Sequence, residues 1–158
     1  MKVVPGRYTA NVEGDFVVFL IGMRVNKLWK VHKWVPVARA MGPMITTLMR
    51  HPDKGLLAVR TSWSGRDITL IQYWKSYEQL ERFAKDRDDP HLDAWRAFNH
   101  KVGTAGDVGI YHETYRIESG AYECVYNNMP VIGLAQAFAH VPVAQRGETA
   151  RARIIADA

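Results

Sequence analysis

The chain has a single cysteine, Cys124, among its 158 residues. An internal disulfide is therefore excluded, as is any zinc site built on several cysteines, and a reducing cytoplasm is the expected compartment. Long hydrophobic runs are missing as well: the longest, "FVVFLIGM" at 16–23, is too short to cross a bilayer. The opening "MKVVPGRYTANVEGD" holds no continuous apolar stretch, so no signal peptide is expected. There is no phosphate-cradling glycine loop, dinucleotide fingerprint, His-Glu-x-x-His helix or nucleophile-elbow serine. Nucleotide-driven chemistry and simple hydrolysis lose their usual signatures. No basic helix or aromatic stacking motif is evident, so nucleic acid is not an expected partner, and the shortness of the apolar runs gives no expectation of a membrane.

What is present is a globular composition, 47% apolar and 11% aromatic, on a length suited to one domain. The net charge of +5 is spread along the chain. Its densest group, Arg24, Lys27, Lys30, His32 and Lys33, alternates with Leu28, Trp29, Val31 and Trp34. This reads as a solvated rim around buried tryptophans, with an anion or membrane contact as the alternative.

Residues 16–25, "FVVFLIGMRV", predict a central strand buried on both faces. A basic connection leads into "PVARAMGPMITTLMR", where Val37, Met41, Met44, Ile45 and Leu48 recur at helical spacing. Pro36 suits the first turn of that helix, and Pro43 predicts a kink. "GLLAVRTSW" and "DITLIQYW" predict a hairpin, the second strand with Ile68, Leu70, Gln72 and Trp74 on one face and Thr69, Ile71 and Tyr73 on the other. Ser76 and Gln79 form a capping-box pattern at the start of the next helix. Asp89-Pro90 opens a further helix carrying His91, Trp95, Phe98 and Val102. "VGIYHETYRI" (108–117) and "AYECVY" then predict a second hairpin.

This order predicts an α+β fold: an antiparallel sheet with helices on one face, most simply ferredoxin-like. The expected division is an extension over 1–13, the domain over 14–143 and a basic tail over 144–158 that is frayed or embraces a partner. A sheet apolar on both faces needs a second cover, which predicts a homodimer.

The chemistry on offer is imidazole, carboxylate and phenol among aromatics. On 108–117, alternation puts Ile110, His112 and Thr114 on one face and Tyr111, Glu113 and Tyr115 on the other. His112 facing the helices would serve as a general base or as a haem-iron ligand. The opposite orientation gives the pocket Glu113 and Tyr115. We take His112 as the base, assisted by Tyr115 or Glu113. Trp74, Tyr73, Met41, Trp95 and Phe98 offer flat or soft walls for an aromatic substrate. Arg60, set among apolar neighbours, would as a buried cation need an anion, a substrate carboxylate or a haem propionate, with ordinary pairing to Glu113 or Glu123 as the alternative. Asn127 and Asn128 of "YNNMP" read as a turn first and a binding loop second.

"LIQYWKSYEQLERFAKDRDDPHLDAWRAF" resembles the dimeric α+β-barrel superfamily, which includes the antibiotic-biosynthesis and haem-degrading monooxygenases. With "GIYHETY", "YNNMPVIGLAQA" and "ETARAR", residues 14–153 resemble a monooxygenase-like family of that superfamily, distantly related to aldoxime dehydratases. The resemblance implies a ferredoxin-like protomer, a dimer formed through the sheets, and a pocket between sheet and helices in each protomer. It also implies a small-molecule oxygenase, with two alternatives: a haem-dependent lyase using His112 or His91 as iron ligand, or a dimeric haem- or ligand-binding module. Of the residues a haem-degrading member uses, only the strand tryptophan is matched, by Trp74. Trp95 and Met23 stand where the helical histidine and the strand asparagine would fall.

Overall fold

The computed structural model describes residues 1–85, 103 and 105–155. Among them are β1 (Val4–Asn11), β2 (Phe16–Val25), α1 (Val31–Arg50), β3 (Leu56–Ser64), β4 (Asp67–Trp74), α2 (Tyr77–Lys85) and β5 (Val108–Ile117). Then follow β6 (Tyr126–Met129), α3 (Leu134–Ala137), β7 (Ala139–Pro142) and α4 (Ala150–Ile155).

Strands β3-β4-β2-β5 form one antiparallel sheet, with α1 after β2 and α2 after β4, and this is the ferredoxin-like α+β arrangement. The apolar run 16–25 lies at the centre, between β4 and β5, as its lack of polar residues demands. Val17 packs with Leu48 of α1 and Leu80 of α2, while Met23 and Val25 meet Trp34 and Val37 of α1. Odd-numbered β2 residues therefore face the helices. Directly paired residues share a face, so Ile68, Leu70, Gln72 and Trp74 of β4 and Ile110, His112 and Thr114 of β5 point the same way.

Helix α1 begins at Val31, five residues before Pro36, and runs as one element through both Pro36 and Pro43. Its start is fastened from below: the buried Asp107 carboxylate pairs with Lys27 at 2.8 Å and with Lys30 at 2.8 Å. These two lysines hold the Asp107 carboxyl down at about 2. The expected rim around buried tryptophans is not what forms. Trp29 is 73% exposed, and Trp34 is only half-buried, its indole N–H donating to the Leu28 carbonyl at 3.0 Å.

The second hairpin does not form either. After β5 the chain leaves the sheet, residues 121–125 are not a strand, and β6 pairs instead with β1. β1 is the middle strand of a second sheet, β6-β1-β7. Pro5 and Gly6 mask this strand in the sequence, and they mark a real irregularity: the register shifts between Val4 and Arg7, and Gly6 has φ of 107°. This small sheet and the segments beside it bury Ala10, Val12, Tyr122 and Ala135 against Phe16, Val18, Tyr73 and Ile117. The face of the main sheet turned away from α1 is thus covered at the Phe16 end. Toward its middle, Leu20 and Ile71 are half-buried, and Tyr111 and Tyr115 are exposed.

The basic C-terminal segment docks on its own chain. Arg153, 5% exposed, donates its Nε–H to Glu123 at 2.8 Å and an Nη–H to the Gly147 carbonyl at 2.9 Å. No helix among the described residues is long and apolar enough to cross a membrane.

Candidate functional site

The helix-facing side of the sheet carries two apolar clusters. One gathers Val17, Leu48, Leu56, Trp74 and Leu80; the other gathers Met23, Val25 and Val108 with Trp34 and Val37. Val17 and Met23 are six residues apart on β2, which places the clusters roughly 20 Å apart along the strand. Between them β2 presents Phe19 and Ile21, β4 presents Leu70, and β5 presents His112 and Thr114. On α1, half-buried Met41 stands on the same stripe as Val37, Ile45 and Leu48, at intervals of four and seven residues.

His112 is the imidazole that β5 places on this face. Its ring lies 5.7 Å from that of Phe19, tilted by 40°. It is exposed and has no hydrogen-bond partner among the described residues. An exposed imidazole beside an aromatic ring can take a proton from carbon, or accept a metal through a ring nitrogen.

The other expected site residues are distributed by the two-residue period. Glu113 and Tyr115 lie on the opposite side of β5, where the Tyr115 hydroxyl donates to Glu113 at 2.6 Å. That bond and the carboxylate charge raise the Tyr115 phenol above its ordinary value. With the sheet between them, neither residue can assist His112, which corrects that part of the expected catalytic set. On the same face Tyr111 lies over Gly22 and shares a 2.7 Å hydrogen bond with Thr69; only a glycine leaves room beneath the ring.

Trp74 faces the helices but is 0% exposed, and its indole N–H donates to Gln72 Oε1 at 2.8 Å. It is a packing residue rather than a pocket wall, because no surface remains for a substrate to touch. Tyr73, the next residue, faces the other way into the small sheet. Burial and the neighbouring Cys124 raise its phenol, and Arg60 partly offsets them. Tyr126, in the same cluster, is raised chiefly by burial. Asn128 works within the small sheet, where its side-chain oxygen accepts the Gly6 N–H at 2.9 Å; its own φ is 53°. His91, Trp95 and Phe98 lie outside the described residues.

Arg60 is on the face away from α1, paired in register with Ile71, and is exposed. The expected buried cation is therefore not found. Neither expected carboxylate meets it: Glu113 holds Tyr115, and Glu123 holds Arg153. It lines instead a cleft of about 650 Å³ with Met129, Pro130, Ile132 and Gln136. The sequence gives no sign of this neighbourhood, since those residues lie some seventy positions away. Among the described residues no three His, Cys, Asp or Glu side chains come together to hold a metal ion.

Residues 16–134 match the family described as monooxygenase af470-like. The protein named monooxygenase af470 from Aspergillus fumigatus is 31% identical over 147 residues, covering 80% of this chain and 52% of that protein. The chain thus spans about half the length of this curated relative. Among solved structures, SnoaB, a cofactor-independent oxygenase from Streptomyces nogalater, is 12% identical with a TM-score of 0.47, over 64% of this chain and 91% of that one. A dimeric ferredoxin-like protein from an uncultured marine organism is 14% identical with a TM-score of 0.37, over 66% of this chain and 96% of that one.

Proposed function

This chain belongs to the monooxygenase af470-like family, and on that premise we propose that it oxygenates an apolar or aromatic small molecule between the main sheet and α1, with His112 as the base. The observation that supports this reading is the unpaired, exposed imidazole of His112 on the helix-facing side, its ring tilted beside that of Phe19. Phe19, Ile21, Leu70 and Met41 would surround a substrate with little to solvate a charge. The substrate class that suits such a site carries an acidic methylene beside an aromatic or conjugated ring. His112 takes a proton from that carbon, and the carbanion gives its electrons to dioxygen, forming a C–O bond and a peroxide. Loss of water from the peroxide leaves a ketone, so R₂CH₂ and O₂ become R₂C=O and H₂O with no other reductant. Such a base contributes about 10²–10⁴-fold to the rate.

Oxygen uptake with a panel of acidic aromatic compounds tests the reading. The active compound should incorporate one atom of ¹⁸O from ¹⁸O₂, and His112→Ala should slow uptake at least a hundredfold. Uptake unchanged in that variant removes His112 from the chemistry.

The same open imidazole favours a second reading, in which it holds a haem iron. Haem bound there would supply iron chemistry toward a nitrogenous substrate or oxygen, and His112 would hold it through an imidazole nitrogen, with Phe19 and Met41 as apolar neighbours. Haemin titration separates the two: a Soret shift lost in His112→Ala supports the haem reading, and an unshifted spectrum rejects it. We also infer a homodimer through the uncovered part of the sheet, around Leu20, Ile71, Tyr111 and Tyr115. Sedimentation equilibrium should give twice the mass of one chain, and Ile71→Lys should halve it.

A further inference from the structure

Two recesses adjoin along the edge strand β3. The larger, about 650 Å³, has Arg60 and Thr61 on one wall and Met129, Pro130 and Ile132 on the other. The smaller, about 280 Å³, is walled by Met49, Pro52, Leu56, Leu57 and Ala58. Val59 and Gln136 line both, so the two form one channel. Its two halves differ in chemistry. One end offers a guanidinium and an amide, and the side chains lining the other are apolar apart from that amide.

Arg60 is what gives the channel a polarity. It is exposed, and no hydrogen bond or ion pair engages it among the described residues. The two carboxylates that the sequence offered it are engaged elsewhere, Glu113 with Tyr115 and Glu123 with Arg153. Two large apolar side chains stand open beside the channel, Met49 at 63% exposed and Met129 at 38%. A groove with an unpaired cation at one end and exposed methionines along its length suits a ligand with the complementary division.

We propose that this channel binds an amphiphilic monocarboxylate, its carboxylate on the Arg60 guanidinium and its hydrocarbon chain along Val59 into the recess beside Leu57 and Met49. Guanidinium and carboxylate match as a planar fork, and the pair is stronger where one side is apolar and partly dry. From Arg60 to Leu57 the strand advances about 10 Å, enough to separate head from tail. The site is distinct from the one assigned to His112. Arg60 and His112 are on opposite faces of the sheet, and three strand spacings, about 14 Å, lie between β3 and β5.

Calorimetric titration of the intact chain with octanoate, butanoate and octanamide tests this. Octanoate should bind at least tenfold more tightly than octanamide, which keeps the chain and loses the charge, and at least tenfold more tightly than butanoate. Arg60→Gln should abolish the first difference while keeping octanamide binding. Met49→Glu, at an exposed position, should abolish the second. His112→Ala should leave octanoate affinity as it is. Equal affinity for octanoate and octanamide, octanoate binding unaffected by Arg60→Gln, or its loss in His112→Ala would each overturn the proposal, as would the absence of octanoate binding to the wild type.

Discussion

Replacing Trp74 by phenylalanine separates two roles that the same residue could have had. The indole is 0% exposed, sits among Val17, Leu48, Leu56 and Leu80, and donates to Gln72, itself 4% exposed, at 2.8 Å. Trp74→Phe removes half of a fused ring from a packed site, costing about 1–2 kcal/mol for the lost contacts and residual cavity. It also leaves Gln72 Oε1 buried without its donor, about 1–3 kcal/mol. The sum is about 3 kcal/mol, or a fall in Tm of roughly 10 °C at about 2–4 °C per kcal/mol. Gln72→Met orphans the indole N–H instead and should cost about 1–2 kcal/mol. The double variant loses both partners, so its cost should fall short of the two single costs added together by about 1–2 kcal/mol. Urea denaturation followed by far-ultraviolet circular dichroism, with all four proteins compared, measures the cycle. Strict additivity would refute the hydrogen-bond reasoning. Intact stability with a collapse of oxygen uptake would mean that Trp74 meets the substrate.

Three further outcomes are expected. The Asp107 carboxyl is lowered to about 2 by Lys27 and Lys30, from 3.8. The unfolded chain binds that proton more readily, so this stabilisation is complete above about 4 and is lost as pH falls through about 2. Acid denaturation of Asp107→Asn should therefore show a shallower dependence between these values than wild type; identical slopes would contradict the pairing. At Gly22, a Cβ would come within 2.4 Å of the Tyr111 ring. Gly22→Val should displace that ring and its bond to Thr69, costing about 1–2 kcal/mol, and the cost should shrink in a Tyr111→Ala background when both are measured by chemical denaturation. Arg153→Met breaks a buried pair with Glu123, an event worth about 3–5 kcal/mol. Limited proteolysis should then cut within 146–155, and resistance equal to wild type would show that α4 is held by other means.

Much of the main sheet was legible because its signals are local. The unbroken apolar run of β2, the alternation of β4 and of 108–117, and the Ser76 cap, whose hydroxyl accepts the Gln79 N–H at 3.3 Å, all act within a few residues. Alternation alone also forced His112 and Glu113 apart, as the register confirms. The small sheet was not legible. "AYECVY" alternates like a strand, yet Tyr122 and Cys124 serve β1 through side chains: Tyr122 accepts the Val12 N–H at 2.9 Å, and Cys124 Sγ accepts that of Ala10 at 3.3 Å. Pairing with β1 depends on contacts more than a hundred residues apart, which no local period encodes. The cleft beside Arg60 was hidden for the same reason. A lone arginine shows its sequence neighbours, and the loop that faces it comes from the other end of the chain.

The position of β1 has a consequence for how the molecule is made. Its partners, from Tyr126 to Pro142, leave the ribosome well over a hundred residues later. At about 5–20 residues per second, β1 waits roughly 6–25 s with both hydrogen-bonding edges vacant. A strand in that position is an invitation to the wrong neighbour. Pro5, Gly6 and Arg7 at its start, with a break in register there, make it a poor template for another nascent chain until the correct strands arrive.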